Sequence, residues 1–213
     1  MRVGIVLTAL AFLCIAAGCA SEQQPKNKYV ETPAQQYQFL DNHTAAVMIW
    51  ADWRTRNEYS QIQLDLGKLL TKMLDEHYQP KKEGEKPKPT IVQFTNPASV
   101  VRYQREHPEV MSEPVAEVAP KLQAERVIFV EIEEFSAHNP EAVMVLKGSA
   151  KATLRVLEVS GGVATLAFEE SGINCHYPPD QPEGVIASDK INVRTIYEGT
   201  LHLLSEKLAA RFK

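Results

Sequence analysis

The chain has 213 residues, a formal charge of −4 at neutral pH and a sequence pI near 5.9. That length supports one sizeable core or two small ones, and mild acidity excludes the basic surface of a nucleic-acid-binding protein. Of the three cysteines, Cys14, Cys19 and Cys175, only the last lies beyond the apolar leader, so no internal disulfide is expected in the working protein.

The leader comes first. One cation, Arg2, precedes an apolar run from Val3 to Ala17. The run is shorter than the roughly 20 residues of a membrane-spanning helix and suits the core of an export signal. It closes on Ala16, Ala17, Gly18 and Cys19, small residues directly before a cysteine, which resembles the lipobox of bacterial lipoproteins. Cys14 follows Leu13 and does not fit; Ala16 departs from the family by standing where Leu is usual. The resemblance implies that residues 1–18 are a removable signal and that Cys19 becomes an acylated first residue carrying several fatty chains, palmitate among them. Two or more chains attach stably, at about 0.8 kcal/mol per buried methylene. Ala20, rather than Asp, after the lipidated position implies the outer membrane, on its periplasmic face. Loss of residues 1–18 removes one cation, Arg2, and no acid, so the charge of −4 becomes −5.

Residues 19–40 begin with Ser21, Gln23, Gln24, Pro25, Lys26, Asn27 and Lys28 and show no apolar period, so they are expected to form a flexible tether. About 20 such residues reach roughly 25 Å. A folded domain is expected over residues 41–213. It opens with Ala45 to Ala51, a continuous apolar run suited to a strand covered on both faces. Ile62, Leu66, Leu69, Leu70, Met73 and Leu74 then recur at helical spacing, with Asp65, Lys68 and Lys72 turned away. Lys81 to Pro89 is a charged, proline-containing loop. Thr90 to Phe94 reads as a short strand, Pro97 to His107 as a helix, and Val115 to Ala124 as a helix interrupted near Pro120.

Val127 to Val130 is the expected central strand. Next comes a long alternation in which Met144, Leu146, Ala150, Ala152, Leu154 and Val156 take one side, and Lys147, Ser149, Lys151, Thr153 and Arg155 the other. Gly161 and Gly162 mark a hairpin turn into Val163 to Glu170, where Ala164, Leu166 and Phe168 continue the inward face. Ile196, Leu203, Leu204, Leu208 and Phe212 give a closing amphipathic helix. The expected fold class is α/β: a single domain with a mixed sheet of about five strands, helices packed on it, a long antiparallel hairpin and a C-terminal amphipathic helix.

This order, with Val47-Met48-Ile49-Trp50, Leu69-Leu70-Thr71 and Val127 to Val130, is similar to a group of periplasmic lipoprotein domains over residues 44–212. The group includes the curli-secretion lipoproteins, the lipoprotein activators of penicillin-binding proteins and the N-terminal domain of the Tol-system propeller protein. The resemblance is one of architecture and apolar pattern. It implies a non-enzymatic, membrane-tethered module, without cofactor, that binds envelope proteins or copies of itself.

No G-x-S-x-G, P-loop, dinucleotide or H-E-x-x-H motif is present, and the six histidines lack metal-ligand pairing. Cys175-His176 is read as a buried thiol beside an ordinary histidine, since neighbours on an extended chain point to opposite faces. Glu131, Glu133, Glu134, Glu169 and Glu170 are read as a solvated strand face that pairs with Lys147, Lys151 and Arg155. Two stretches carry interface-type residues. Trp50, Trp53, Arg54, Arg56 and Tyr59 crowd the segment after the first strand; His176 and Tyr177 lie in the proline-rich loop Asn174 to Gly184. The expected function is a lipid-anchored binding or assembly module. A ring-forming secretion component and a small-ligand-binding or hydrolytic envelope enzyme are the alternatives.

Overall fold

The computed structural model describes residues 36–78, 92–139, 142, 144–188 and 190–212. The signal, Cys19, most of the tether and the Lys81 to Pro89 loop lie outside the described residues. In chain order the elements are β1 (Thr44–Ala51), α1 (Trp53–Glu58), α2 (Ile62–Tyr78), β2 (Gln93–Phe94) and α3 (Pro97–Glu106). A 3-10 turn at Pro108–Met111 follows, then α4 (Val115–Val118), which runs into a second turn at Ala119–Leu122. The chain continues through β3 (Arg126–Ser136), β4 (Val145–Leu146), β5 (Gly148–Ser160), β6 (Val163–Tyr177), β7 (Val185–Ile186) and α5 (Val193–Ala209).

One mixed sheet has the order β2-β1-β3-β5-β6, while β4 and β7 pair separately. β1 runs parallel to both β2 and β3, and β3, β5 and β6 form an antiparallel meander. This is the α/β domain that the sequence predicts. The apolar run of β1 is covered on both sides. Ala45, Val47, Ile49 and Ala51 join α2 and α5 in the main core, and Ala46 and Met48 join Val100, Val118 and Phe129 in a second. Asp52, Asn96 and Asn192 cap α1, α3 and α5, each side-chain oxygen accepting a backbone N–H of the first turn.

Five expectations change. The folded part starts before residue 41: Tyr37 and Leu40 are buried, and the Tyr37 N–H donates to the Arg211 carbonyl (2.7 Å). Phe212 lies beyond α5 and bridges to Tyr37, so its burial comes from this pairing rather than from helical period. Met144 does not continue the β5 face. The chain leaves the main sheet before Gly148 to form β4, and Met144 is 67 % exposed.

The hairpin's inward face also breaks. Val156 pairs with Phe168 and Leu157 with Leu166, leaving Ala167 as an extra residue on β6. This bulge reverses the alternation, so Leu166 lies opposite Leu157 of the second core and is 54 % exposed. Finally, β6 extends to Tyr177, so Asn174 to Tyr177 belong to a strand and the proline-rich loop starts at Pro178. A second bulge at Gly172, with φ of +73°, restores the inward face for Ile173 and Cys175. The Gly161-Gly162 turn forms as expected, both residues having positive φ.

Candidate functional site

Open α/β sheets commonly hold ligands in the crevice at the carboxyl ends of parallel strands, where successive connections leave to opposite faces. Here that position lies beside β1, with α2 on one face and α3 on the other, and it is filled. The Ile49 carbonyl accepts from Gln63 Nε2 of α2 (2.8 Å) and from Gln104 Nε2 of α3 (2.9 Å). Gly67 brings α2 close to Pro97, whose Cβ stands 3.4 Å from where a side chain on Gly67 would begin.

Open hollows lie along the seam of α2 and α5. Two adjoining cavities, of about 550 and 470 Å³, share Asp65, Arg194, Tyr197 and Glu198. Tyr197 lines both and Tyr59 the larger, with Phe135 packed against the two rings. Tyr59 and Tyr197 stack with ring centres 5.5 Å apart and planes at 16°, and Phe135 meets Tyr59 edge-on at 4.9 Å. Tyr197 Oη donates to Asp65 Oδ2 (2.9 Å), so Asp65 turns into the seam rather than away as its helical position suggests. Burial raises the Tyr197 phenol, and the Asp65 contact adds to it; burial, with Glu58, pushes the Tyr59 phenol up to about 12. Both rings therefore stay protonated at neutral pH. The rim mixes signs: Arg194 pairs with Glu198 one turn on (2.7 Å), and His138 lies 3.8 Å from Glu58. Aromatic lining beside a mixed charged rim suits an apolar anchor with polar surroundings.

The other sheet face bears the carboxylates. Arg155 stands between Glu131 and Glu169, at 2.7 Å from each, and its guanidinium lies over the Phe129 ring at 5.9 Å. Glu133 accepts from Lys151 Nζ (2.7 Å) and Thr153 Oγ1 (2.6 Å). Of the other expected members, Glu170 lies on the opposite face, bidentate with Arg211. Beside this ladder is a small cavity of about 180 Å³ between Trp50, Met111, Phe129 and Arg155.

Lys151, then Thr153, hold the Glu133 carboxyl below its ordinary 4.5. A carboxylate depressed in the fold stabilises above its unfolded pKa, and that contribution is lost as pH falls through the folded value. Thermal midpoints should therefore drop as the pH falls below about 4.5, and Glu133→Gln should flatten part of that slope. An identical acid slope in wild type and variant would exclude this carboxylate from the acid response.

The expected interface residues do not form one cluster. Tyr59 lines the α2–α5 seam. Trp53 is 67 % exposed on α1, with the Arg54 guanidinium 5.7 Å from its ring centre. Arg56 is half-buried. Trp50 belongs to the opposite face, its Nε1 donating to the Met111 carbonyl (3.0 Å). Tyr177 packs into a third small core with Ile196 and Tyr197, and Gly199 is required there because a Cβ would strike the Tyr177 ring. His176 is exposed beside the buried Cys175. Burial pushes that thiol up to about 11, and Sγ donates to the Thr200 carbonyl at 3.7 Å, so it is a poor nucleophile at neutral pH. Arg194, Tyr197 and Glu198 are lining residues that sequence reasoning missed. A tyrosine facing Asp65 from a helix far along the chain leaves no local pattern.

Among the described residues, no group of three or more His, Cys, Asp or Glu is placed to hold a metal ion, and no helix is long and apolar enough to cross a membrane. No family model matches the chain, and no curated protein does. Among solved structures, it is similar to the hypothetical protein CT253 from Chlamydia trachomatis, at 13 % identity over 78 % of this chain and 90 % of that one, with a TM-score of 0.39. The PelC dodecamer from Paraburkholderia phytofirmans aligns at 10 % identity over 83 % and 93 %, with a TM-score of 0.38. Lipoprotein GNA1162 from Neisseria meningitidis aligns at 9 % identity over 63 % and 83 %, with a TM-score of 0.37.

Proposed function

We propose that this chain is a lipid-anchored envelope protein, acylated at Cys19 and held at the periplasmic face of the outer membrane, that binds a protein partner without catalysing a reaction. The observation that carries the reading is the sequence Ala16-Ala17-Gly18-Cys19 at the end of a short apolar leader. Several acyl chains there hold the domain stably at a membrane while leaving it free to engage a second protein. The seam of α2 and α5 supplies the binding surface. Its stacked Tyr59 and Tyr197 give rigid apolar area, and Asp65, Arg194 and Glu198 give a polar rim.

Two measurements test the two halves. Cys19→Ser should abolish incorporation of labelled palmitate and move the protein from the membrane pellet to the soluble fraction. Unchanged mass, labelling and sedimentation would overturn the anchor. A photoreactive residue at Arg194 should then crosslink in cells to an envelope protein identified by mass, whereas one at the exposed Asn174 should not. Adducts at Asn174 with none at Arg194 would overturn the seam as the binding surface.

A further inference from the structure

Three exposed apolar side chains, Phe39, Val163 and Leu166, lie toward one end of the domain, the last two on opposite faces of the β5–β6 hairpin, and that end is where the chain from Cys19 enters. The first described residue, Gln36, reaches the Ala210 carbonyl with Nε2 (3.3 Å), and Tyr37 pairs with Phe212, which places the entry at the far end of α5. Phe39, 66 % exposed, follows at once. Its carbonyl accepts from Arg126 Nε (3.2 Å) and Tyr37 Oη (3.2 Å), fixing it beside the first residue of β3. Arg126 pairs with Glu158, the Val159 N–H still donates to the Glu125 carbonyl (2.8 Å), and Val159 and Ala164 pack against the second core, so only the turn around Gly161 and Gly162 passes beyond β3. Nothing lies within 4 Å of the Cβ positions of Gly161 and Gly162.

The composition of this end of the hairpin, which runs down to the buried Phe168, is unusual for a surface hairpin. Residues 159–168 (VSGGVATLAF) contain no charged side chain, although Glu158 and Glu169 bracket them. Val163 is 64 % exposed, and Leu166 is 54 % exposed because the bulge at Ala167 turns it out of the main core. Exposed edges and turns in water ordinarily carry charge that blocks unwanted pairing. A charge-free tip flanked by carboxylates has the depth profile of a segment that enters an apolar medium and stops there.

We infer that the hairpin tip, with Val163 and Leu166, and the neighbouring Phe39 dock onto the lipid bilayer that carries the Cys19 anchor. The inference rests on acylation at Cys19 and adds a defined orientation to it. The 17 steps from Cys19 to Gln36 cannot exceed about 60 Å even fully extended, so this end stays tied near the surface. With the tip in the interface, α1, β4, β7 and the start of α5 point away from the membrane, and the Tyr59 and Tyr197 seam opens toward the periplasm.

The test uses the full acylated chain in phosphatidylethanolamine–phosphatidylglycerol vesicles, with an environment-sensitive fluorophore at Val163→Cys or, as reference, at the exposed Glu183→Cys. Cys175, buried, stays unlabelled in the folded protein. The label at 163 should shift its emission to the blue and lose intensity when doxyl-labelled lipid is included, while the label at 183 does neither. Leu166→Asp in the Val163→Cys chain should abolish the shift without releasing the acylated protein from vesicles. If mass shows the chain acylated and both labels respond alike to a water-soluble quencher, the docking is overturned and the anchor stands. A blue shift that ignores doxyl lipid and grows with protein per vesicle assigns the tip to a second copy and also overturns it. An unacylated chain overturns the anchor and this orientation together.

Discussion

Leu154→Ala should lower the unfolding free energy by about 3 kcal/mol, within the usual 2–5 kcal/mol range for a fully buried leucine truncated to alanine. Leu154 has no exposed surface and sits near the middle of β5, hydrogen-bonded between β3 and β6 opposite Val130 and Glu170. Its side chain belongs to the core that α2 and α5 cover through Leu66, Leu70, Leu204 and Leu208. Two antiparallel neighbours and two helices fix the walls, so the space left by three carbon atoms collapses poorly. The control is Leu166→Ala, whose side chain the Ala167 bulge leaves half exposed and whose loss should stay within about 0.5 kcal/mol. Urea unfolding followed by circular dichroism, with unchanged slope, reads both. Equal losses at the two positions would mean that the bulge does not turn Leu166 outward.

The contrast between these leucines shows how far the sequence could be read. Alternation in β5 was legible from Ala150 to Val156, because the irregularities beside it, at Glu133 on β3 and at Gly172 on β6, insert their extra residue on the partner strand and leave β5 its own period. On β6 the same period misleads. One unpaired residue at Ala167 moves Leu166 to the opposite face, and nothing in the string VATLAF marks a bulge. Gly172 is the legible kind of bulge, since a glycine inside a strand pattern signals positive φ or close approach, yet Asn174 to Tyr177 still read as loop because prolines follow.

The site was less legible than the fold for a related reason. Tyr59 could be singled out from a local crowd of Trp, Tyr and Arg, but its role depends on Tyr197 and Phe135, 138 and 76 positions further on. The same crowd is divided by the sheet: Trp50 points to the α3 face and Trp53 stands in solvent at the first position of α1. Local enrichment names residue types suited to contacts; the pleat decides which of them share a surface.

Gly148→Ala should cost about 2 kcal/mol, within the range for overpacking a tight core, and should be partly rescued by a second truncation. Gly148 is buried at the first position of β5, where the chain turns in from β4, and a Cβ there would strike Thr200 Oγ1 and stand 3.0 Å from Ile196 Cγ2. Neither neighbour yields easily. Thr200 Oγ1 donates to the Ile196 carbonyl (2.7 Å) within α5, and Ile196 is fully buried against Leu146 and Val185. Relief therefore requires α5 to move off the sheet, which also strains the contact between Gly199 and Tyr177 one turn along. Thr200→Ala alone should cost about 1 kcal/mol for its lost hydrogen bond. Combined with Gly148→Ala it removes the clashing oxygen, so the double variant should be more stable than Gly148→Ala alone. Additive losses would show that β5 and α5 are not in the contact described, and the position of the α2–α5 seam, which α5 sets, would have to be revised with them.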